Sequence, residues 1–292
     1  MILGVEVRED AIVAVVTDDR GVITARGKRE GSNPTSAADA VRAAVSGTSL
    51  SAVGIAVRDP LEESISSIVA AAAGAAGLSK QPRIVTRGCA VALGEHWVGV
   101  AQGISHVASL TAGDCVHAGL IIDGRPFEGA HGVAGVASWM ALNPVEREDY
   151  RRFGCLEAEI GNAGIVRRLV WRIKSGDESR VLGMAGGDIG AITLQQIFDA
   201  ARAGDGVSIS VVRDTARYIG MAVANLVVIT DPNMVLLGGL IADAADQLLQ
   251  PSQAEALRRV PRTIAGSLTV AAATLGEDGG PLGAARAAML DR

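Results

Sequence analysis

Cysteine is scarce in this chain of 292 residues: Cys89, Cys115 and Cys155 are its three. They stand too far apart for a disulfide framework or a paired Cys-x-x-Cys metal clip, and a reducing compartment is the simplest reading. Also missing is an apolar run of the ~18 or more residues that a membrane-spanning helix needs; residues 68–78 are apolar but short and read as a buried helix. No basic region followed by an apolar stretch opens the chain. Met1-Ile2-Leu3-Gly4-Val5-Glu6 already carries a charge, so the expectation is a cytoplasmic protein with no secretion signal and no membrane contact. Positive charge is not in excess. With 27 Lys and Arg against 32 Asp and Glu, the net charge of −5 gives no general attraction to nucleic acid. Arg258, Arg259 and Arg262 form only a local cluster near a helix end. Neither a repeat with a period of roughly 20–50 residues nor a low-complexity tail is present. The histidines cannot be assembled with Ser and Asp, or with Cys, into a nucleophilic triad or dyad.

What is present is a hydrophobic content of 49% and 36 glycines, which suits an α/β protein with many tight turns and two lobes. Apolar runs bounded by Gly and charged turns predict strands over 2–7, 11–17 and 22–27, an antiparallel meander. Helical periodicity follows at 37–45, then a strand at 52–57, a helix at 64–76, a strand at 83–85 and a helix at 90–100. Further strands are expected at 107–110, 116–122 and 125–127, with Asp123-Gly124 as a hairpin turn. Helices at 155–160, 164–174, 194–203 and 207–229 come next. A strand at 234–237, a helix at 242–259, a strand at 269–272 and a terminal helix complete the pattern. This predicts a lobe over 1–105, a second over 106–280, and a helix over 281–292 packing back on the first.

One segment carries most of the chemical information. Residues 84–95 read Ile-Val-Thr-Arg-Gly-Cys-Ala-Val-Ala-Leu-Gly-Glu. Further on, residues 118–135 read Ala-Gly-Leu-Ile-Ile-Asp-Gly-Arg-Pro-Phe-Glu-Gly-Ala-His-Gly-Val-Ala-Gly. Then come Gly154-Cys155-Leu156-Glu157, Val235-Leu236-Leu237-Gly238-Gly239, and Asp278-Gly279-Gly280-Pro281-Leu282-Gly283-Ala284. In this order and combination the segments resemble the ROK family of bacterial repressors, uncharacterised reading frames and sugar kinases. The resemblance implies a two-lobed α/β fold of the actin-like, ribonuclease-H-like ATPase type, a homo-oligomer and a carbohydrate-like ligand. The helix-turn-helix module of the repressor branch would precede this frame, and the first strand begins at residue 2, so direct DNA binding is not expected.

The same resemblance shows what has been replaced. Aligned on Ala92-Leu93-Gly94-Glu95, the family's catalytic Asp falls on Arg87, and a guanidinium with a pKa above about 12 cannot accept a proton at neutral pH. The first phosphate loop, Asp-x-Gly-Gly-Thr in the family, is Glu6-Val7-Arg8-Glu9-Asp10. An ordinary charged hairpin turn is the competing account of that stretch. The second, Gly-Thr-Gly-x-Gly, is Gly113-Asp114-Cys115-Val116-His117. The sugar-holding Glu-x-Gly-His maps onto Val136-Ala137-Ser138-Trp139, and the zinc-binding cysteines onto Glu148, Tyr150 and Cys155, so no zinc is expected. Candidate cleft residues are then Arg87, Asp114, Trp139 and Glu157. Trp139 can stack on a sugar or belong to a core or interface, and Glu157 can face the cleft or answer the dipole of its helix. Gly238, Gly239 and Gly283 mark nucleotide-side turns, or turns that the fold retains without a ligand. The implied protein is a non-catalytic sensor or interaction subunit with no cofactor. The alternative is a divergent kinase using ATP and magnesium, with Glu157, Asp114 or Glu6 as its base.

Overall fold

The computed structural model describes residues 1–78 and 80–290. The chain opens with β1 (Ile2–Val7), β2 (Ala11–Thr17), β3 (Ile23–Glu30), α1 (Pro34–Val45), β4 (Ala52–Val57), α2 (Glu63–Ala76), β5 (Arg83–Thr86) and α3 (Arg87–Val98). It continues with β6 (Val107–Ala112), β7 (Val116–Ile122), β8 (Arg125–Pro126), α4 (Glu148–Phe153), α5 (Cys155–Ile160) and α6 (Asn162–Lys174). After these come α7 (Arg180–Met184), α8 (Leu194–Arg202), α9 (Gly206–Thr230), β9 (Met234–Gly239) and α10 (Leu240–Asp243). Last are α11 (Ala245–Leu257), α12 (Arg262–Ala265), β10 (Thr269–Ala272) and α13 (Gly279–Leu290). Two five-stranded sheets result, ordered β3-β2-β1-β4-β5 and β10-β9-β6-β7-β8. The α/β succession expected from the apolar pattern is present.

Contacts divide the chain into two compact units, one of Met1–Ser109, His117–Gly135 and Ala273–Arg292, the other of Leu110–Val116 and Val136–Ala272. These bounds differ from single cuts after residues 105 and 280. The reason is local: a Cβ on Gly88 would overlap the carbonyl of Ala118, and one on Gly119 would overlap that of Gly88. Bare backbone on both sides lets β7 approach the first turn of α3, which takes residues 117–135 into the first unit.

In the first unit every residue of β1, β2 and β4 is buried. A sheet covered on both faces gives continuous apolar runs, not alternation. Leu3, Val5, Ile12, Val16 and Ile55 pack with α1 and α2, and Ile2 and Ala52 meet Ala285 and Ala288 of α13. Each fully buried Leu or Ile of this kind contributes about 1.5–3 kcal/mol. Residues 291–292 of the expected terminal helix lie outside the described residues.

Helix limits follow caps that apolar periodicity alone does not mark. The Asn33 side chain accepts the Ser36 N–H at 3.0 Å, so α1 begins at Pro34 and not at residue 37. The Thr86 hydroxyl accepts the Cys89 N–H at 3.2 Å, so α3 begins at Arg87 and not at residue 90. In the second unit, Asp205 caps the 25-residue α9 through Ser208 at 2.9 Å, and α9 closes on Asp231 in the left-handed region (φ 45°). The helix expected over 242–259 is two, α10 and α11, with the break at Ala244 and with Pro251 inside α11. Among the described residues no helix is long and apolar enough to cross a membrane.

In the first unit α13 approaches α3 so closely that a Cβ on Gly283 would overlap the carbonyl of Ala90. Gly283→Ala is expected to destabilise the protein by about 3 kcal/mol. Gly74→Ala, in α2 where a Cβ meets nothing within 4 Å, should stabilise it by up to about 1 kcal/mol. Denaturant unfolding of the two variants beside the parent checks both signs.

Candidate functional site

Arg87, the first residue of α3, places a cation at a helix N-terminus, where the dipole opposes it. Two carboxylates offset the charge. Arg87 Nε donates to Glu6 Oε1 at 3.0 Å and Nη1 donates to Glu9 Oε2 at 2.8 Å. Glu6, only 3% exposed at the end of β1, also accepts from Arg8 Nε at 2.9 Å. Gly280 is necessary here, because a Cβ on it would overlap the Glu6 carboxylate. Arg8 reaches onward to the Glu277 carbonyl at 2.7 Å, while Lys28 and Arg26 pair with Glu277 and Asp278. The segment after β1 is the charged turn that its composition suggests, with Arg8 N–H donating to the Ala11 carbonyl at 2.9 Å. It is in addition a node of long-range ion pairs.

Burial alone would raise the Glu6 pKa, but Arg87 and Arg8 beside it hold it below the ordinary 4.5. Glu6 is therefore an ionised partner of two guanidinium groups. His117, at the start of the β7 stretch in this unit, is buried, and its Nδ1 has no hydrogen-bond partner. Burial, with Arg87 nearby, depresses its pKa to about 3, so the ring is neutral at physiological pH. The Cys89 thiol is pushed up to about 12 by burial and by Glu128, which makes it inert as a nucleophile. Glu95, part of the alignment anchor but unassigned by sequence reasoning, ties α3 to the segment before α13. Its buried carboxylate accepts from the Val100, Thr274 and Leu275 N–H groups and the Thr274 hydroxyl, at 2.6–3.0 Å.

Asp114, Trp139 and Glu157 belong to the second unit and Arg87 to the first. Two of them meet at the β6–β7 turn. The Asn162 side chain donates to Asp114 Oδ1 at 2.8 Å, and the Asn162 N–H donates to the Gly113 carbonyl at 2.8 Å. Buried Glu157 accepts the Val116 N–H at 2.9 Å through Oε2. That turn is thus anchored by α5 and α6. Trp139 is 56% exposed in a short 3-10 turn, so the core reading of that residue does not hold. Gly239, with φ 62° and a Cβ position that would overlap the Ala112 carbonyl, makes the turn from β9 into α10. Gly238 is buried within β9. Gly283 lies inside α13, not in a turn.

The residues at the position of a zinc knot do not fit a metal. Cys155 is buried and its Sγ accepts the Leu142 N–H at 3.4 Å. The Tyr150 hydroxyl donates to Glu159, and Tyr150, Cys155, Ala158 and Leu142 form a small apolar cluster. Among the described residues no group of three or more His, Cys, Asp or Glu could hold a metal ion. At the position of the first phosphate loop, Glu6 and Glu9 are paired with Arg8 and Arg87, and at the second the Asp114 carboxylate accepts from Asn162.

A model described as the ROK family matches residues 2–290. A glucokinase of Halalkalibacterium halodurans is 32% identical over 212 residues, 70% of this chain and 63% of that protein. The DNA-binding transcriptional dual regulator NagC of Escherichia coli is 30% identical over 163 residues, 56% of this chain and 38% of that protein. The chain therefore spans less than two thirds of the length of these curated relatives. A crystal structure of a ROK family glucokinase from Streptomyces griseus in complex with glucose and AMPPNP superposes with a TM-score of 0.83 at 25% identity, covering 99% of both chains. The fold is that of ROK sugar-kinase structures, a two-sheet, actin-like α/β architecture.

Two measurements test the site. The folded state holds His117 near pKa 3 against an ordinary 6.5, so the unfolded chain binds more protons between those values and stability rises with pH across that window. Urea unfolding should show a loss of about 2 kcal/mol from pH 7 to pH 5 in the parent beyond that in His117→Gln, in which His96, its pKa also lowered by burial, still contributes. The Glu6 contribution is present above pH 4.5 and is lost only as pH falls through its lowered value, outside that interval. Elemental analysis of the purified protein should give no stoichiometric zinc; one zinc per chain that disappears in Cys155→Ser would contradict the assignment.

Proposed function

Because the chain belongs to the ROK family across residues 2–290, we propose that it is a non-catalytic member of that family. It would bind a carbohydrate-like ligand and act as a sensor, regulator or interaction subunit through protein contacts, as an oligomer of identical chains. The observation that carries this reading is Arg87, paired to Glu6 at 3.0 Å and Glu9 at 2.8 Å at the position where the family's kinases need a proton acceptor. A general base contributes about 10²–10⁴ in rate, and here a permanently charged donor stands in its place. Replacement of both phosphate loops supports the same conclusion independently.

The glucokinase relatives favour a second reading, sugar phosphorylation. Three carboxylates could be nominated as base. Of these, Glu6 is spent on two arginines and Glu157 on the Val116 N–H, while Asp114 accepts from Asn162 on the surface. None stands as a free acceptor beside an open phosphate loop.

A coupled assay with ATP, magnesium and hexoses, hexosamines or N-acylhexosamines is expected to show no turnover, and Arg87→Asp alone should not restore it, since both loops remain altered. Turnover above about 1 s⁻¹, abolished by Glu157→Ala, would establish the kinase reading instead. Calorimetry with the same sugars in the absence of nucleotide tests the sensor half; saturable binding of one of them is the expected result.

A further inference from the structure

The second unit contains a cavity of about 700 Å³ among α4, α5, α6 and α9, within the size range of small-molecule sites. None of Arg87, Asp114, Trp139 and Glu157 lines it. Its wall carries five arginines against three carboxylates, in a chain whose net charge is −5. Arg147, Arg167 and Arg168 share just two of the carboxylates. Arg147 meets Asp149 at 3.2 Å and Glu159 at 2.7 Å, Arg167 meets Asp149 at 2.7 Å, and Arg168 meets Glu159 at 2.5 Å. Three cations on two anions leave one positive charge unmatched in a partly desolvated wall, where it is felt more strongly than in water. Arg172 is offset by Asp177, which does not line the cavity, and Arg217 by Asp214 at 3.5 Å.

These pairs clip α4 and α5 to α6, a structural role that explains the carboxylates. It does not explain the rest of the wall. Trp171 is 65% exposed and lines the same cavity, where its ring is open to stacking by a flat body. The ring of Tyr218 lies 5.5 Å from the Arg168 guanidinium, and its hydroxyl has no hydrogen-bond partner among the described residues. Burial and the nearby Glu159 raise the Tyr218 pKa, which keeps that hydroxyl a donor at neutral pH. A surplus of guanidinium groups, an unengaged phenol donor and an exposed indole are together the complement of an anion attached to a flat apolar body.

We propose that this cavity binds a small organic anion, a carboxylate or phosphate joined to a planar or apolar body, with the arginine surplus holding the charge and Trp171 stacking on the body. The site lies wholly within the second unit and does not depend on the reading of Arg87, so either can fail without the other.

Calorimetry of the full chain with phenyl phosphate, benzoate and inorganic phosphate tests it. Saturable one-to-one binding of phenyl phosphate or benzoate is expected, with a dissociation constant at or below about 1 mM at low salt, weakening as ionic strength rises. Whichever of the two binds more tightly identifies the charged group recognised. Inorganic phosphate should bind at least roughly tenfold more weakly, because it lacks the stacked body. Arg217→Gln and Trp171→Ala alter exposed side chains, so melting temperature should be retained while affinity for the better probe falls roughly tenfold in each. The proposal is overturned by no saturable heat with either aromatic probe up to about 10 mM. It is equally overturned by affinity unchanged in both variants, or by inorganic phosphate binding as tightly as phenyl phosphate.

Discussion

A single buried carboxylate organises the charged part of the first unit. Glu6 lies almost wholly out of water at the end of β1, and an ion so placed is tolerable only when its partners are fixed around it. Arg87 supplies one from the start of α3 and Arg8 another from the following turn. The missing side chain of Gly280 leaves room for the carboxylate at the start of α13. One group thereby joins β1 to α3 and to the turn that follows β1. Only removal of both arginines would leave the buried charge uncompensated, a loss of about 3–5 kcal/mol in comparable cases.

The same network is what the proposed non-catalytic reading rests on. Phosphate loops work because backbone N–H groups and a metal-associated carboxylate are left open to a polyanion. Here the residues at that position pair Glu6 with Arg8 and Arg87, and Glu9 with Arg87. The family's relatives include both kinases and regulators.

Strands with apolar runs were legible because the first sheet is covered on both faces, which makes β1, β2 and β4 continuous blocks of buried residues. β3 ran on to Glu30, three residues past the expected end, through Lys28 and Arg29. It is an edge strand, and charged side chains in water leave no apolar pattern to read. The start of α3 was obscured for a different reason: Thr86 is the cap, but a cationic residue and a glycine directly after it do not resemble a first helical turn. Arg87 was legible as a replacement, while its partners lie 81 and 78 positions away and no local spacing announces them. The arginine cavity was hidden in the same way. Arg147, Arg167 and Arg168 look like solvated charges until helix packing brings them onto Asp149 and Glu159.

The hydrogen bonds of Glu95 to Thr274 and Leu275 span more than half of the chain, at separations of 179 and 180 residues. On the ribosome this reverses the order of events. Residues made first belong to a unit that cannot close until the last helix has emerged, whereas most of the second unit, residues 136–272, is delivered without interruption. Loop closure over such a distance is slow relative to local contacts. Until α13 has been made, the nascent first sheet lacks the cover that Ala285 and Ala288 give to Ile2 and Ala52.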